Sequence, residues 1–135
     1  MAFYFTNDLR TGNNLIDSEH EQLINALNEL IKATSAGKAT SEVTKTMKFL
    51  SDYTNKHFSD EESLQVKSKY PDYSNHIKYH KYFKDKMKEL NQKLLKEGVT
   101  PMFVKELNVA LGDWFINHIK NEDKKVAAHI KASGM

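Results

Sequence analysis

Residues 72–96 read DYSNHIKYHKYFKDKMKELNQKLLK. Tyr73, His76, His80, Phe83, Met87, Leu90 and Leu94 recur at alternating steps of three and four through three heptads. That repeat keeps one seam of an α-helix turned toward its neighbours in a bundle. The residues between them, such as Lys84, Asp85, Lys86, Lys88 and Glu89, form a solvated face. Two members of the seam are histidines. They lie four apart, about 6 Å along the axis, so both imidazoles can reach one ion.

The same alternation recurs on either side. Met47, Leu50, Thr54, His57, Glu61 and Leu64 mark a second helix, and Val104, Leu107, Leu111, Trp114 and His118 another. Leu23, Ile24, Leu27, Leu30 and Ile31 mark the first, with His20 one turn ahead. Asp17 or Ser18 is expected to cap helix one, with Ser18 and Glu21 at capping-box spacing. It is expected to run from about residue 18 to 35 and to end near Gly37. The second helix is expected from Thr40-Ser41 to about Lys67, before Pro71, and the third from about Asp72 to Lys96, before Gly98. Thr100-Pro101 then opens a fourth helix with a cap and a proline at its first position, reaching about Asn121. Lys124 to Lys131 is expected as a short terminal piece. Short connections favour antiparallel neighbours. The expected fold is all-α: an up-down-up-down antiparallel four-helix bundle with an irregular arm over residues 1–16 and a short C-terminal extension, one domain over residues 1–135.

Composition narrows the function classes. The chain has 135 residues, a formal net charge of +2 and no cysteine. Lys alternates with Asp and Glu, so nucleic-acid binding is not expected. No stretch approaches the roughly 20 apolar residues of a membrane span, and the N-terminus lacks the pattern of a secretory signal. The absence of cysteine excludes thiolate-bound clusters, Cys-attached haem and disulfides, and fits a cytoplasmic location.

The polar seam residues carry the functional information. Each of the four helices brings His, Glu or Asp to the same layer: His20, His57 with Glu61, His76 with His80, and His118 with Asp123. His-x-x-x-His alone is a weak signal, and His57-x-x-x-Glu61 alone could be a surface pair. As isolated core histidines they would need five separate internal acceptors. One shared cationic partner satisfies all of them, and a pair of metal ions is the expected occupant. His129 matches no seam position and is expected at the surface.

These motifs resemble the hemerythrin family, most closely its single-domain bacterial members, the bacteriohemerythrins. The resemblance runs through Ile16-Asp17-Ser18-Glu19-His20, His57-Phe58-Ser59-Asp60-Glu61-Glu62, Tyr70-Pro71, His76-x-x-x-His80 and Trp114-x-x-x-His118-Ile119-x-x-x-Asp123. It implies a non-haem di-iron centre with an oxo or hydroxo bridge. His76, His80 and His118 would bind one iron and His20 and His57 the other, with Glu61 and Asp123 bridging. Three histidines complete six-coordination at the first iron and two leave the second one position short, where a diatomic ligand enters. Two Fe(II) ions against two carboxylates and a hydroxide leave a core of about +1 by formal counting. Ferritin-like sites hold more carboxylates. A histidine-rich site therefore favours reversible capture of O2 as peroxide over oxygen insertion.

The expected function is storage, delivery or sensing of O2 by a protein that is not an enzyme. The alternative is a di-iron redox protein that handles peroxide or nitric oxide, or protects and repairs oxygen-labile iron centres. A protein recipient of the O2 is compatible with either. Leu23, Phe58, Trp114 and Ile119 resemble the family's apolar ligand pocket, whose walls would exclude water; ordinary core packing is compatible with that role. Phe115 narrows the pocket if it points inward. Phe3-Tyr4-Phe5 stands where bacterial members often carry Trp, so the resemblance leaves the arm's docking open. Finally, His118 and Asp123 are five apart, about 140° around a regular helix. Facing one metal pair together requires a π-type bulge or an unwound end between Ile119 and Asp123.

Overall fold

Four long helical stretches account for most of the chain in the computed structural model, which describes residues 3–134. Helix α1 spans Asn14–Ser35, α2 Thr40–Ser68 and α3 Tyr73–Glu97. The fourth, α4, starts with Pro101–Glu106 and stays helical to the end of Lys124–Ala132. No strand occurs among the described residues. The fold is an all-α four-helix bundle.

The helix signals in the sequence act mostly where expected. Thr100 caps α4, its side chain accepting from the Phe103 N–H at 3.0 Å, with Pro101 in the first turn. Gly98 closes α3 at a positive φ of 75°. Two boundaries differ. Helix α1 begins a turn earlier than expected because Asn13, an equally good cap, accepts from the Ile16 N–H at 3.0 Å. Asp17 instead turns back to the arm, accepting from the Thr11 N–H at 2.8 Å, the Thr11 hydroxyl at 2.7 Å and the Gly12 N–H at 3.2 Å. The second difference is in α4. It neither stops near Asn121 nor leaves a separate terminal piece, but passes through two π-helical stretches, Leu107–Asp113 and Ile119–Asp123. Each π turn shifts the residues beyond it around the axis without ending the helix.

The arm is ordered by specific contacts. Asn7–Leu9 forms a 3₁₀ turn. The Phe3 N–H donates to Asn28 Oδ1 at 2.8 Å, and Asn28 Nδ2 returns a bond to the Phe3 carbonyl at 2.6 Å. These bonds hold the buried Phe3 ring against Gly112 in the first π stretch. A Cβ at Gly112 would lie 2.2 Å from Phe3 Cζ, so only glycine fits there. Phenylalanine therefore docks the arm.

Apolar packing flanks a polar layer. On one side lies the main core, including Leu27, Leu30, Met47, Leu50, Phe83, Leu90, Leu107 and Leu111. On the other, Ile16, Tyr70, Val126 and Ile130 form a second cluster. His20 follows Ile16 by four residues, and Asp123 precedes Val126 by three. The histidines and carboxylates are thus held between two dry ends of the bundle. No described helix is long and apolar enough to cross a membrane.

Candidate metal centre

All seven residues expected from the sequence as ligands meet in that layer. His20, His57, Glu61, His76, His80, His118 and Asp123 are each at most 5% exposed. They form two overlapping groups. Glu61, His76, His80, His118 and Asp123 bring one potential donor atom each within 4.8 Å of one another, and so do His20, His57, Glu61 and Asp123. Glu61 and Asp123 belong to both.

Contacts within the layer are close but not those of a hydrogen-bonded core. Ring Nε2 atoms lie 2.6 Å (His76) and 3.3 Å (His80) from Glu61 Oε1, and 2.8 Å (His20) and 3.1 Å (His118) from Asp123 oxygens. Yet the Nε2 atoms of all five histidines lack an aligned hydrogen-bond partner, as do Glu61 Oε2 and both Asp123 oxygens. An unsatisfied buried polar group typically costs 1–3 kcal/mol. Eight such atoms converging in one place fit a cation that accepts all their lone pairs. The donor set, imidazole with a little carboxylate, suits first-row transition ions such as iron.

Two carboxylates outside the predicted set fix the rings. His57 Nδ1 lies 2.9 Å from Glu19 Oε1, and His80 Nδ1 2.7 Å from Glu62 Oε2. An ionised carboxylate only accepts, so Nδ1 carries the proton and Nε2 presents its lone pair inward. Glu19 is itself 2% exposed and is held by Lys56 Nζ at 3.0 Å. The bond from His80 keeps the Glu62 carboxyl below its ordinary range. Gln65 Nε2 donates to Glu61 Oε1 at 3.4 Å. Glu19 and Glu62 adjoin His20 and Glu61 in sequence. The signal that could have found them is the need of each ligating imidazole for an acceptor at its second nitrogen.

Electrostatics follow from this crowding. Burial and the charge of Asp123 push Glu61 up, but the neighbouring His76, His80 and His57 overcome both and leave it below its usual value. Asp123 is held well below the carboxylate range, the cost of burial being outweighed by His118, His20 and His76. Burial lowers the pKa of His76, yet Asp123 and Glu61 beside it raise it to about 10. Without a metal, a proton on His76 takes over part of the cation's role.

The match to known proteins agrees with this geometry. Residues 11–130 match the model of the hemerythrin HHE cation binding domain. The chain belongs to the hemerythrin family. It is 32% identical to a bacteriohemerythrin of Stenotrophomonas maltophilia over 126 residues, 93% of this chain and 79% of the relative. Identity is also 32% to a bacteriohemerythrin of Pseudomonas aeruginosa over 117 residues, covering 86% and 73%. The myohemerythrin of Sipunculus nudus is 32% identical over 111 residues, covering 82% and 79%.

In this hemerythrin the apolar residues expected around the centre take different positions. A cavity of about 10 Å³ is lined by Leu23, Leu27, Leu50, Thr54, Phe83 and Phe115. Phe115 does point inward, its ring edge-on to His20 at 5.6 Å and to His57 at 6.5 Å. Of the four expected pocket residues, Leu23 lines this cavity. Phe58 instead stacks on His80 at 3.8 Å, and Trp114 on His118 at 4.7 Å, beside an outer groove with Tyr79, Asn117 and Asn121. Ile119 is fully buried in the main core. Phe58 and Trp114 thus lie against the histidines of the layer, while Phe115 faces His20 and His57. His129 is half-buried, its Nε2 2.7 Å from the Ser68 carbonyl and its ring 5.4 Å from Tyr70. It ties the end of α4 to α2 and lies outside both donor groups.

Proposed function

We propose that this hemerythrin binds O2 reversibly at a non-haem di-iron centre held by His20, His57, Glu61, His76, His80, His118 and Asp123. The observation that carries the reading is the asymmetry of the two donor groups. Both contain Glu61 and Asp123, but one adds three histidines and the other two. These residues would hold two irons, which would supply the Lewis acidity and reducing electrons for O2; the group of His20, His57, Glu61 and Asp123 offers one histidine fewer than the other.

The protein's own residues do the rest. Glu19 and Glu62 keep His57 and His80 in the tautomer that faces the metals. Phe115 and Leu23 cover the two-histidine side with apolar surface, excluding the water and protons that would hasten oxidation. Binding for storage, delivery or sensing, without catalysis, suits that arrangement.

The test is spectroscopic. Iron-loaded, reduced protein prepared without air should contain about two irons per chain. It should gain a visible charge-transfer band on exposure to O2 and lose it under vacuum through repeated cycles. One-step conversion to a ferric spectrum that vacuum does not reverse would replace the carrier reading with redox turnover.

A further inference from the structure

The two carboxylates that back the ligand rings stand in unequal surroundings. The Glu62 side chain, behind His80, is 23% exposed, so water solvates its charge. Among the described residues no lysine lies within 4.0 Å of it, and Lys84 acts on it only at longer range. The Glu19 side chain, behind His57, is 3% exposed and shut off from water. A buried carboxylate needs a counter-charge of its own. His57 belongs to the donor group with one histidine fewer, so this dry carboxylate serves the two-histidine side.

Lys56 supplies that counter-charge. Glu19 reaches across from α1 and divides its oxygens, with Oε1 2.9 Å from His57 Nδ1 and Oε2 3.0 Å from Lys56 Nζ. Asp60, one turn further along α2, holds the same ammonium at 2.8 Å. Hydrogen bonds from Lys56 to Asp60 and to Glu19 keep it protonated above its ordinary range. One hydrogen-bonded line therefore runs from an exposed cation through a buried carboxylate to the His57 ring, whose Nε2 faces the metal layer.

We propose that Lys56 is a positioning residue that acts through Glu19 to set how strongly His57 donates to its metal, and so the ferric–ferrous balance of the two-histidine side. The proposal rests on the di-iron reading above. An ionised carboxylate at Nδ1 raises the basicity of a ligating imidazole. A more basic ligand favours the more highly charged ferric ion. A cation on the carboxylate's other oxygen opposes that donation, and beside a buried group its charge is less screened than in water. Lys56 thus leaves Glu19 in place as the acceptor that orients His57 while limiting the negative charge Glu19 passes to the ring. The centre is thereby held toward the ferrous form that captures O2.

The experiment is a reductive titration of the iron-loaded full chain with dithionite, iron being counted per chain, for the parent and for variants of Lys56. Because Lys56 is exposed, its replacement leaves the core packing intact. Lys56→Gln should shift the equilibrium toward the ferric form by about three- to tenfold, tenfold being about 59 mV for one electron. Lys56→Arg keeps a charge within reach of Glu19 and should recover most of that shift. Lys84→Gln removes an equal charge from over the Phe58 ring that stacks on His80 and should shift the equilibrium less. In a Glu19→Gln background, where the amide oxygen still accepts from His57 but carries no charge, Lys56→Gln should add nothing. An unchanged potential in Lys56→Gln protein that holds two irons overturns this proposal and leaves the di-iron reading standing. A parent chain that takes up no iron pair overturns both. Equal shifts from Lys56→Gln and Lys84→Gln, or a full shift in the Glu19→Gln background, would mean that the charge acts through space alone and would also overturn the proposal.

Discussion

His118 Nε2 and Asp123 Oδ1 lie 3.1 Å apart although the residues are separated by five positions on one helix. The π stretch Ile119–Asp123 makes this possible by lengthening the local hydrogen-bonded turn. The consequence is unequal roles for the two side chains: His118 belongs to one donor group and Asp123 to both. His118→Ala should therefore reduce bound iron toward one per chain, while Asp123→Ala and Glu61→Ala should deplete both positions. Elemental analysis after identical iron loading distinguishes these outcomes. Equal retention by Asp123→Ala and the parent would remove Asp123 from the site.

Glu62 acts through His80, and the choice of substitution separates that role from charge. Glu62→Gln keeps an oxygen that accepts the Nδ1 proton; Glu62→Ala does not. Loss of such a partner typically lowers metal affinity about 10- to 100-fold. Glu62→Ala should fall in that range and Glu62→Gln should recover most of the loss, as measured by competition with a chelator. Identical affinities for the two variants would show that the carboxylate's negative charge matters, not its acceptor geometry.

The metal-free protein should respond to pH through His76. Its pKa in the folded chain is raised from 6.5 to about 10. Stability from that proton is fully present below 6.5 and is lost as pH rises through about 10. The urea midpoint of the metal-free protein should fall between pH 6 and 10, and His76→Gln should flatten the fall. Metal binding runs the opposite way, because a ligating imidazole must be neutral, so iron uptake should release protons and strengthen with rising pH. A midpoint that holds steady across the window would dissociate His76 from the buried carboxylates.

Much of this centre was legible because the bundle repeat and the ligand spacing coincide. His76 and His80 sit where Phe83 and Met87 continue the seam, so inward-facing imidazoles followed from the same pattern as the fold. The unusual His118–Asp123 spacing even indicated the π stretch between them. The other π stretch, Leu107–Asp113, was not legible, since nothing in its local spacing departs from the bundle repeat; Phe3 packs against Gly112 within it. Glu19 and Glu62 were obscured for another reason. They occupy positions flanking the seam, where a carboxylate usually faces water, and their burial depends on which ring lies across the helix interface. The pocket wall depended on side-chain direction, and Phe115 rather than its neighbour Trp114 turned toward His20.

Gly112 offers a test in which the sign of a stability change reverses. A methyl group there would lie 2.2 Å from Phe3 Cζ and 2.3 Å from Cε2, so Gly112→Ala must displace the ring. Exposing a buried Phe costs about 1.5–3 kcal/mol, while alanine gains up to about 1 kcal/mol over glycine in a helix. With the full helical gain set against it, the single variant should thus be destabilised by about 0.5–2 kcal/mol. In a Phe3→Ala background the clash is gone and only the helical gain remains, so Gly112→Ala should become neutral or stabilising. Urea denaturation of the parent, both single variants and the double variant measures this coupling. Additive effects would mean that the arm leaves Gly112 free in solution. Strong non-additivity would establish that Phe3 holds the arm against the first π stretch.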